Sequence, residues 1–328
     1  MNALKRAWSA WVAMLSRTET GEAFAFFRIA IGLITISTLV DALAADAWRV
    51  VWVDQLHGGY RGFGPGTPLV NFFGGPTPEV IHGMIWASLI SCTLVVVGFG
   101  GRVTAFIALQ LFLALHRMNS EASGSSDELI TNGLWLLVLG NGSATFSLDA
   151  LMRTGAWRSD RLISSWPRYL GVLQIIVTYT TTGLQKISVY WLPFGELSAV
   201  YYVLQQPSFI RFVPTYVPMF FRVTQLMTLV TWLWEVLTPM LAVYYWCRET
   251  PERGGRLRRL FSWLDLRLVW ALVGGGFHIG IWVTMEVGPF SPITMAYYLC
   301  FWHPDELKRA VVWIRTRLNR STTAATAS

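Results

Sequence analysis

The chain has 328 residues, 53% hydrophobic and only 14% charged, with 17 Trp and a formal net charge of +7. A soluble domain carries about a quarter charged residues, so this composition excludes an ordinary soluble globular protein. The basic residues form short clusters between apolar runs rather than one continuous face, so nucleic acid is not the partner that the charge implies.

In chain order, Leu4, Trp8, Trp11, Val12 and Leu15 recur at helical spacing among Lys5, Arg6 and Arg17. That pattern predicts an amphipathic interfacial helix over 1–20. The stretch lacks a continuous apolar core and a small-residue cleavage site, so it does not read as a signal peptide. A membrane crossing needs about 20 mostly apolar residues. Eight segments qualify, at 23–45, 79–99, 103–120, 128–146, 168–187, 224–246, 266–285 and 287–303. The expected fold is an all-α membrane protein, a polytopic bundle of about eight transmembrane helices. Its domains are the helix at 1–20, a transmembrane domain at 21–305 and a basic tail at 306–328.

Positive charge sets the orientation. With the amino terminus in the cytoplasm, inner segments hold 19 of the 26 basic residues, in clusters around Lys5, Arg102, Arg153, Arg248 and Lys308. Outer segments hold six: Arg49, Arg61, Arg117, Lys186, Arg211 and Arg222. This places both termini in the cytoplasm of a cell whose plasma (inner) membrane the chain crosses. Two outer stretches, 46–78 and 188–223, combine Gly and Pro with many aromatics and are expected to pack as re-entrant or interfacial caps. Cys92, Cys247 and Cys300 have no metal-ligand spacing and read as reduced thiols.

Ionisable groups inside apolar spans are costly, so each is a site candidate. Thr178, Thr182 and Lys186 fall at i, i+4 and i+8 with Tyr179 beside them, a polar stripe rising to the outer end of the fifth span. A lysine in a dry setting has its charged form disfavoured and can serve as a general base. The competing reading is a lysine that snorkels to the headgroups. His278 and Glu286 lie two turns apart in the seventh span, either as a proton relay lining an outward cavity or as polar packing residues beside Gly274, Gly275 and Gly276. Glu235, mid-span with Pro239 one turn later, is expected to form a structural ion pair with Arg28. Asp127 begins the fourth span, either as a helix-capping acid or as part of the outer cavity. No metal site is expected.

Three stretches carry a family resemblance: Phe27-Arg28-Ile29-Ala30-Ile31-Gly32-Leu33; Gly183-Leu184-Gln185-Lys186-Ile187 followed by Trp191 and Gly195; and Glu235 with Pro239, His278 and Gly288-Pro289-Phe290-Ser291. In order and spacing they resemble the HTTM family, the membrane domain of vitamin K-dependent gamma-carboxylases and of many bacterial proteins, including the SdpB-type peptide-maturation factors. The resemblance implies that Lys186 is the base that deprotonates a quinol, as the lysine of the corresponding stretch does in the carboxylases. Taken with the polar residues above, this makes the expected site an outward-facing cavity lined by Lys186, Tyr179, Thr182, Trp191, His278, Glu286 and Asp127, with catalytic roles for Lys186 and His278. The resemblance also implies a vitamin K-like quinol as cofactor. The sequence departs from the carboxylases where their Asn-Asn-His stretch stands: here it reads Gly124-Ser125-Ser126-Asp127-Glu128. The large carboxyl-terminal domain of the carboxylases is also missing from the sequence, so the expectation is a narrower activity than glutamate carboxylation. The alternative is a non-enzymatic membrane factor for maturation or export of a secreted peptide. Expected partners are membrane lipids, a quinone or such a peptide.

Overall fold

The structure is a computed structural model that describes residues 3–60, 66–310, 312, 313 and 316. Arg61 of the first outer cap, and Arg315, Arg317 and Arg320 of the basic tail, lie outside the described residues. The main helices are α1 (Ala3–Leu15), α2 (Glu22–Ala44), α3 (Pro78–Val97), α4 (Gly101–His116), α5 (Ser125–Leu139), α6 (Trp166–Gln185), α7 (Phe221–Leu237), α8 (Met240–Glu249), α9 (Leu266–Thr284) and α10 (Phe290–Tyr297). Three of them, α2, α3 and α9, are individually long and apolar enough to cross a membrane. The count rises to four when the stretch Pro214–Leu237 and α8, bent by 45° to each other, are taken as one span. That bend falls at Thr238-Pro239, where proline has no N–H to continue the helix. The freed carbonyl of Glu235 accepts instead from the Thr238 N–H at 3.1 Å.

The chain divides into two compact units. The first comprises Leu15–Tyr169 with the segment from Leu299 onward. In it α2 packs on α3, α3 on α4 and α4 on α5, with α2 also meeting α5. Phe24, Phe27, Ile31, Ile81, Ile85, Leu109 and Ile130 fill the core. Gly32 allows α2 to approach α3: a Cβ there would stand 2.6 Å from the Val96 side chain. Thr77 caps α3 by accepting from the Val80 N–H, Pro78 begins it, and Gly98 ends it in the left-handed region at φ 70°. Thr18–Thr20 and Leu162–Ser164 pair antiparallel, with Glu19 opposite Ile163.

The second unit comprises Leu170–Tyr298 with Met1–Met14. Here α7 packs on α9, α8 on α9 and α9 on α10. Its core is aromatic: Tyr244 and Tyr297 are fully buried, and Trp234 and Trp270 nearly so. The expected outer cap at 188–223 is folded, as single turns at Val189–Trp191 and Pro193–Gly195, a short helix Ala199–Val203 and a 3-10 stretch Pro214–Phe220. All three cysteines are free and buried. In both units large apolar side chains point outward, among them Leu33, Ile90 and Val103 in the first and Leu226, Leu272 and Ile279 in the second. Such a surface suits lipid rather than water.

Candidate functional site

Lys186 follows immediately after the last residue of α6, where the helix ends in an i→i+3 turn onto the Gly183 carbonyl. Its ammonium meets the Glu235 carboxylate of α7 in a close hydrogen-bonded ion pair. The glutamate side chain is 5% exposed and the lysine side chain 17%, so the lysine is the more accessible partner. Gly183 makes this meeting possible. A Cβ there would stand 2.9 Å from the Glu235 Cβ and 3.0 Å from the Val236 nitrogen, so the two helices touch backbone to backbone. Thr182, one residue before that glycine, lies within hydrogen-bonding reach of Glu235. Its hydroxyl also donates to the Thr178 carbonyl at 3.0 Å. Trp191 closes the site from the cap, its ring centroid 4.8 Å from Lys186 Nζ.

Seven residues before Lys186 on α6, Tyr179 begins a second polar group. Its hydroxyl lies 2.5 Å from His278 Nε2 and 2.9 Å from the Tyr298 hydroxyl. The Trp234 ring packs edge-on against Tyr179 with centroids 4.3 Å apart. Tyr179 and His278 are 3% and 0% exposed, so they are embedded in packed protein and do not line an open cavity. A Cβ on Gly274 would stand 2.3 Å from the Tyr298 hydroxyl and 2.4 Å from the Trp234 ring, so this glycine seats the network. Gly275 and Gly276 face open space instead. Among the described residues, His278 Nδ1 and Trp234 Nε1 are buried with no hydrogen-bond partner. Tyr298 carries no charge to mark it in an apolar run that also holds Thr294 and Tyr297, so the sequence does not single it out.

A family model for the HTTM domain matches residues 17–249. The chain belongs to the HTTM family. No curated protein and no solved structure matches it. The matched stretch contains Gly183, Lys186, Trp191 and Glu235, whereas His278 and Tyr298 lie beyond it. With its apolar helices, this HTTM chain is a membrane protein.

Other candidates in the HTTM chain fall elsewhere. Glu235 pairs with Lys186 and not with Arg28, the expected partner. Arg28 belongs to the first unit. It is buried there and donates to the Phe146 carbonyl at 2.6 Å, wedged so tightly that a Cβ on Gly98 would overlap its guanidinium. The correction has a physical basis: sequence spacing fixes which residues are buried but not which helix faces which. Glu286, expected in the cavity, forms a salt bridge with Arg211 at 2.7 Å, and its backbone N–H donates to Phe209. Arg211 also donates to the Trp282 carbonyl. Glu286 therefore clamps the 188–223 cap onto the end of α9. Asp127, in the first unit, accepts from the Gly124 N–H at 2.8 Å and so ties down the first turn of α5.

The sequence reading missed a buried ion pair in the first unit. Arg168 donates through Nε and Nη2 to the two carboxylate oxygens of Glu19, at 2.7 and 2.8 Å, and through Nη1 to the Cys300 carbonyl at 3.1 Å. Glu19 falls at the end of the expected helix 1–20 and Arg168 at the start of the expected span 168–187, segment edges where a charge is unremarkable. The sequence holds no signal that they would be buried together.

Proposed function

We propose that this HTTM chain binds a quinol, or a lipid of similar headgroup, and uses the Lys186–Glu235 pair to take a proton from it. The observation that carries the reading is the ion pair itself: a lysine at the mouth, a glutamate behind it, and an indole ring over the amine. A lysine and a carboxylate in contact share one proton between them and hold no net charge. The pair accepts one further proton, and becomes cationic, when a donor approaches from the lysine side. A quinol O–H is such a donor: the O–H bond breaks, the proton goes to the pair, and the negative charge left on the oxygen is stabilised by the ammonium. The quinol supplies the redox chemistry, its oxidation by dioxygen. The Trp191 ring beside the amine suits a flat aromatic headgroup. An apolar cavity of about 390 Å³ in the same unit, lined by Leu204, Phe212, Tyr216, Phe220, Met227 and Thr284, suits an apolar tail. Tyr179, bonded to His278 and Tyr298, packs against Trp234, the residue before Glu235, so in this reading His278 serves as a positioning residue.

In the same reading, the eight apolar segments are eight crossings of a bacterial inner membrane, with both termini cytoplasmic. The helices found at each segment and the 19-to-6 distribution of basic residues support this.

The test is quinol-dependent oxygen uptake by purified protein in lipid, with a reduced naphthoquinone as probe. A general base typically contributes a factor of about 10² to 10⁴, so Lys186→Met is expected to lower the rate by at least that first factor. Equal rates in wild type and variant would overturn the reading. The exposed aromatics of the cap, Phe194, Phe212 and Tyr216, favour the second reading, a peptide-maturation factor. Dependence of a secreted peptide on those side chains, with indifference to Lys186, would establish it in place of the first.

A further inference from the structure

A second cavity of about 400 Å³ lies in the second unit, in the loop between α8 and α9, well away in sequence from Lys186. Its lining includes Arg248, Arg258, Arg259, Gly254, Gly255 and Ser262, and no carboxylate. Arg258 is held in place by the loop. Its Nε donates to the Thr250 carbonyl at 2.8 Å, its Nη1 to the Gly254 carbonyl at 3.1 Å and its Nη2 to the Thr250 hydroxyl at 3.0 Å. The second hydrogen of each terminal nitrogen remains for a ligand. Arg248 is oriented by the Tyr244 hydroxyl at 2.6 Å and by Asp265. Arg259 is exposed on the helix that follows. The neighbouring acid is already engaged: burial alone would push the Asp265 carboxyl up, but Arg267, Tyr244 and Arg248 hold it down at about 2.

The surroundings of this cavity are amphipathic. The short helix Arg256–Trp263 exposes Leu257, Leu260 and Trp263, the last 84% exposed, at a spacing of three residues. α1 lies against the same loop. Arg253 donates to the Arg6 carbonyl at 2.9 Å, and the Trp11 and Trp246 rings are 6.4 Å apart. α1 in turn exposes Leu4, Trp8, Trp11 and Val12 beside Lys5 and Arg6. The two helices thus present apolar side chains and cations together, the composition of an element that lies in the headgroup layer.

We infer that this cavity binds the phosphodiester headgroup of an anionic phospholipid. The guanidinium forks of Arg258 and Arg259 match two phosphate oxygens. The glycines at 254 and 255 add no side chain to bar a close approach. Leu257, Leu260 and Trp263 accompany the acyl chains into the apolar layer. Arg258 and Arg259, with no carboxylate in the lining, select a lipid of net negative charge over a zwitterionic one, whose own ammonium would be repelled.

The test is titration of the full chain in a neutral detergent with three probes: dioctanoyl phosphatidylglycerol, dioctanoyl phosphatidylcholine and inorganic phosphate. Binding is read by native mass spectrometry. Phosphatidylglycerol is expected to bind saturably and phosphatidylcholine not, and millimolar phosphate is expected to leave the lipid bound. Each interfacial cation near an anionic surface is worth about fivefold in affinity. Arg259→Gln is therefore expected to weaken phosphatidylglycerol by about that factor, and Arg258→Gln with Arg259→Gln by more. Arg259→Lys, which keeps the charge and tests folding independently, is expected to fall between wild type and Arg259→Gln. Trp263→Ala is expected to reduce retention of the lipid without changing its preference over phosphatidylcholine. Equal binding of the two lipids, unchanged phosphatidylglycerol affinity in the arginine variants, or complete displacement by inorganic phosphate would each overturn the inference.

Discussion

The Arg168–Glu19 pair of the first unit and the Lys186–Glu235 pair of the second are built differently. In the first unit Arg168 grips both oxygens of Glu19 and spends a third donor on the Cys300 carbonyl, with both residues almost fully enclosed. A planar fork on a planar carboxylate satisfies both partners, and nothing is left over for a ligand. In the second unit Lys186 offers a single ammonium to Glu235, stays partly exposed, and sits near buried nitrogens on His278 and Trp234 that have no partner. Burying a polar atom unpaired costs stability. Unpartnered atoms do not themselves separate the two pairs, because Thr20 Oγ1 and Ser165 Oγ, close in sequence to Glu19 and Arg168, are also buried without a partner among the described residues. The difference lies in the single donor group and the exposure of Lys186. The first pair is closed on every side, and the second is the more accessible of the two.

This contrast can be broken at the closed pair. Arg168→Ala leaves Glu19 buried and alone, and removing one partner of a buried pair costs about 3–5 kcal/mol. A large drop in the melting temperature of the purified protein in detergent is expected. A variant that melts with the wild type would show that the pair is not structural.

The next effect separates three adjacent glycines on α9. Gly274→Ala drives a methyl into Tyr298 and Trp234, and overpacking of this kind costs about 1–3 kcal/mol. Gly275→Ala and Gly276→Ala meet open space, and alanine is favoured over glycine in a helix by about 0.8–1.0 kcal/mol. The melting temperature is therefore expected to fall in the first variant and to hold or rise in the other two. Equal shifts in all three would remove the reason given for the Tyr179–His278–Tyr298 geometry.

The smallest effect lies at the loop before α9. The folded-state carboxyl of Asp265 is held at about 2, below its ordinary unfolded value near 4, by Arg267, Tyr244 and Arg248 against the opposing effect of burial. A depressed carboxyl contributes stability that is fully present above the unfolded value and is lost as pH falls through the folded one. The contribution is thus intact at pH 5 and fades between pH 4 and 2. Because the side chain is 35% exposed, the effect is small. Melting curves of wild type and Asp265→Asn are expected to converge over that range, and parallel curves would contradict the assignment.

How much of this was legible in the sequence follows from what each signal encodes. Apolar runs located some helices closely, 23–45 becoming Glu22–Ala44 and 266–285 becoming Leu266–Thr284, whereas 128–146 covers a helix that ends at Leu139 and 224–246 is divided between Phe221–Leu237 and Met240–Glu249. Hydropathy reports burial along the chain, so it also singled out Lys186, Glu235 and His278 as misplaced charges. It carries no information about which faces oppose. The pairing of Glu235 was therefore misassigned to Arg28, and Glu286 was placed in a cavity when it clamps a cap. The informative sequence mark was Gly183, three residues before Lys186: a glycine in a helix beside a buried charge signals a close approach, and the structure puts Glu235 at that approach. Arg168 and Glu19 left no mark because charges at segment edges are ordinary.

The most direct test of the central claim is a double-substitution cycle on Lys186 and Glu235, reading quinol-dependent oxygen uptake and melting temperature in the same samples. Groups that act as one unit lose almost all activity when either is removed, and removing both partners of a buried pair is nearly neutral for stability. The account predicts that Lys186→Met, Glu235→Met and the double variant all lose at least about a hundredfold in rate. It also predicts that the double variant melts close to wild type. A double variant that keeps its rate, or that melts as low as Arg168→Ala, would make the second pair structural like the first.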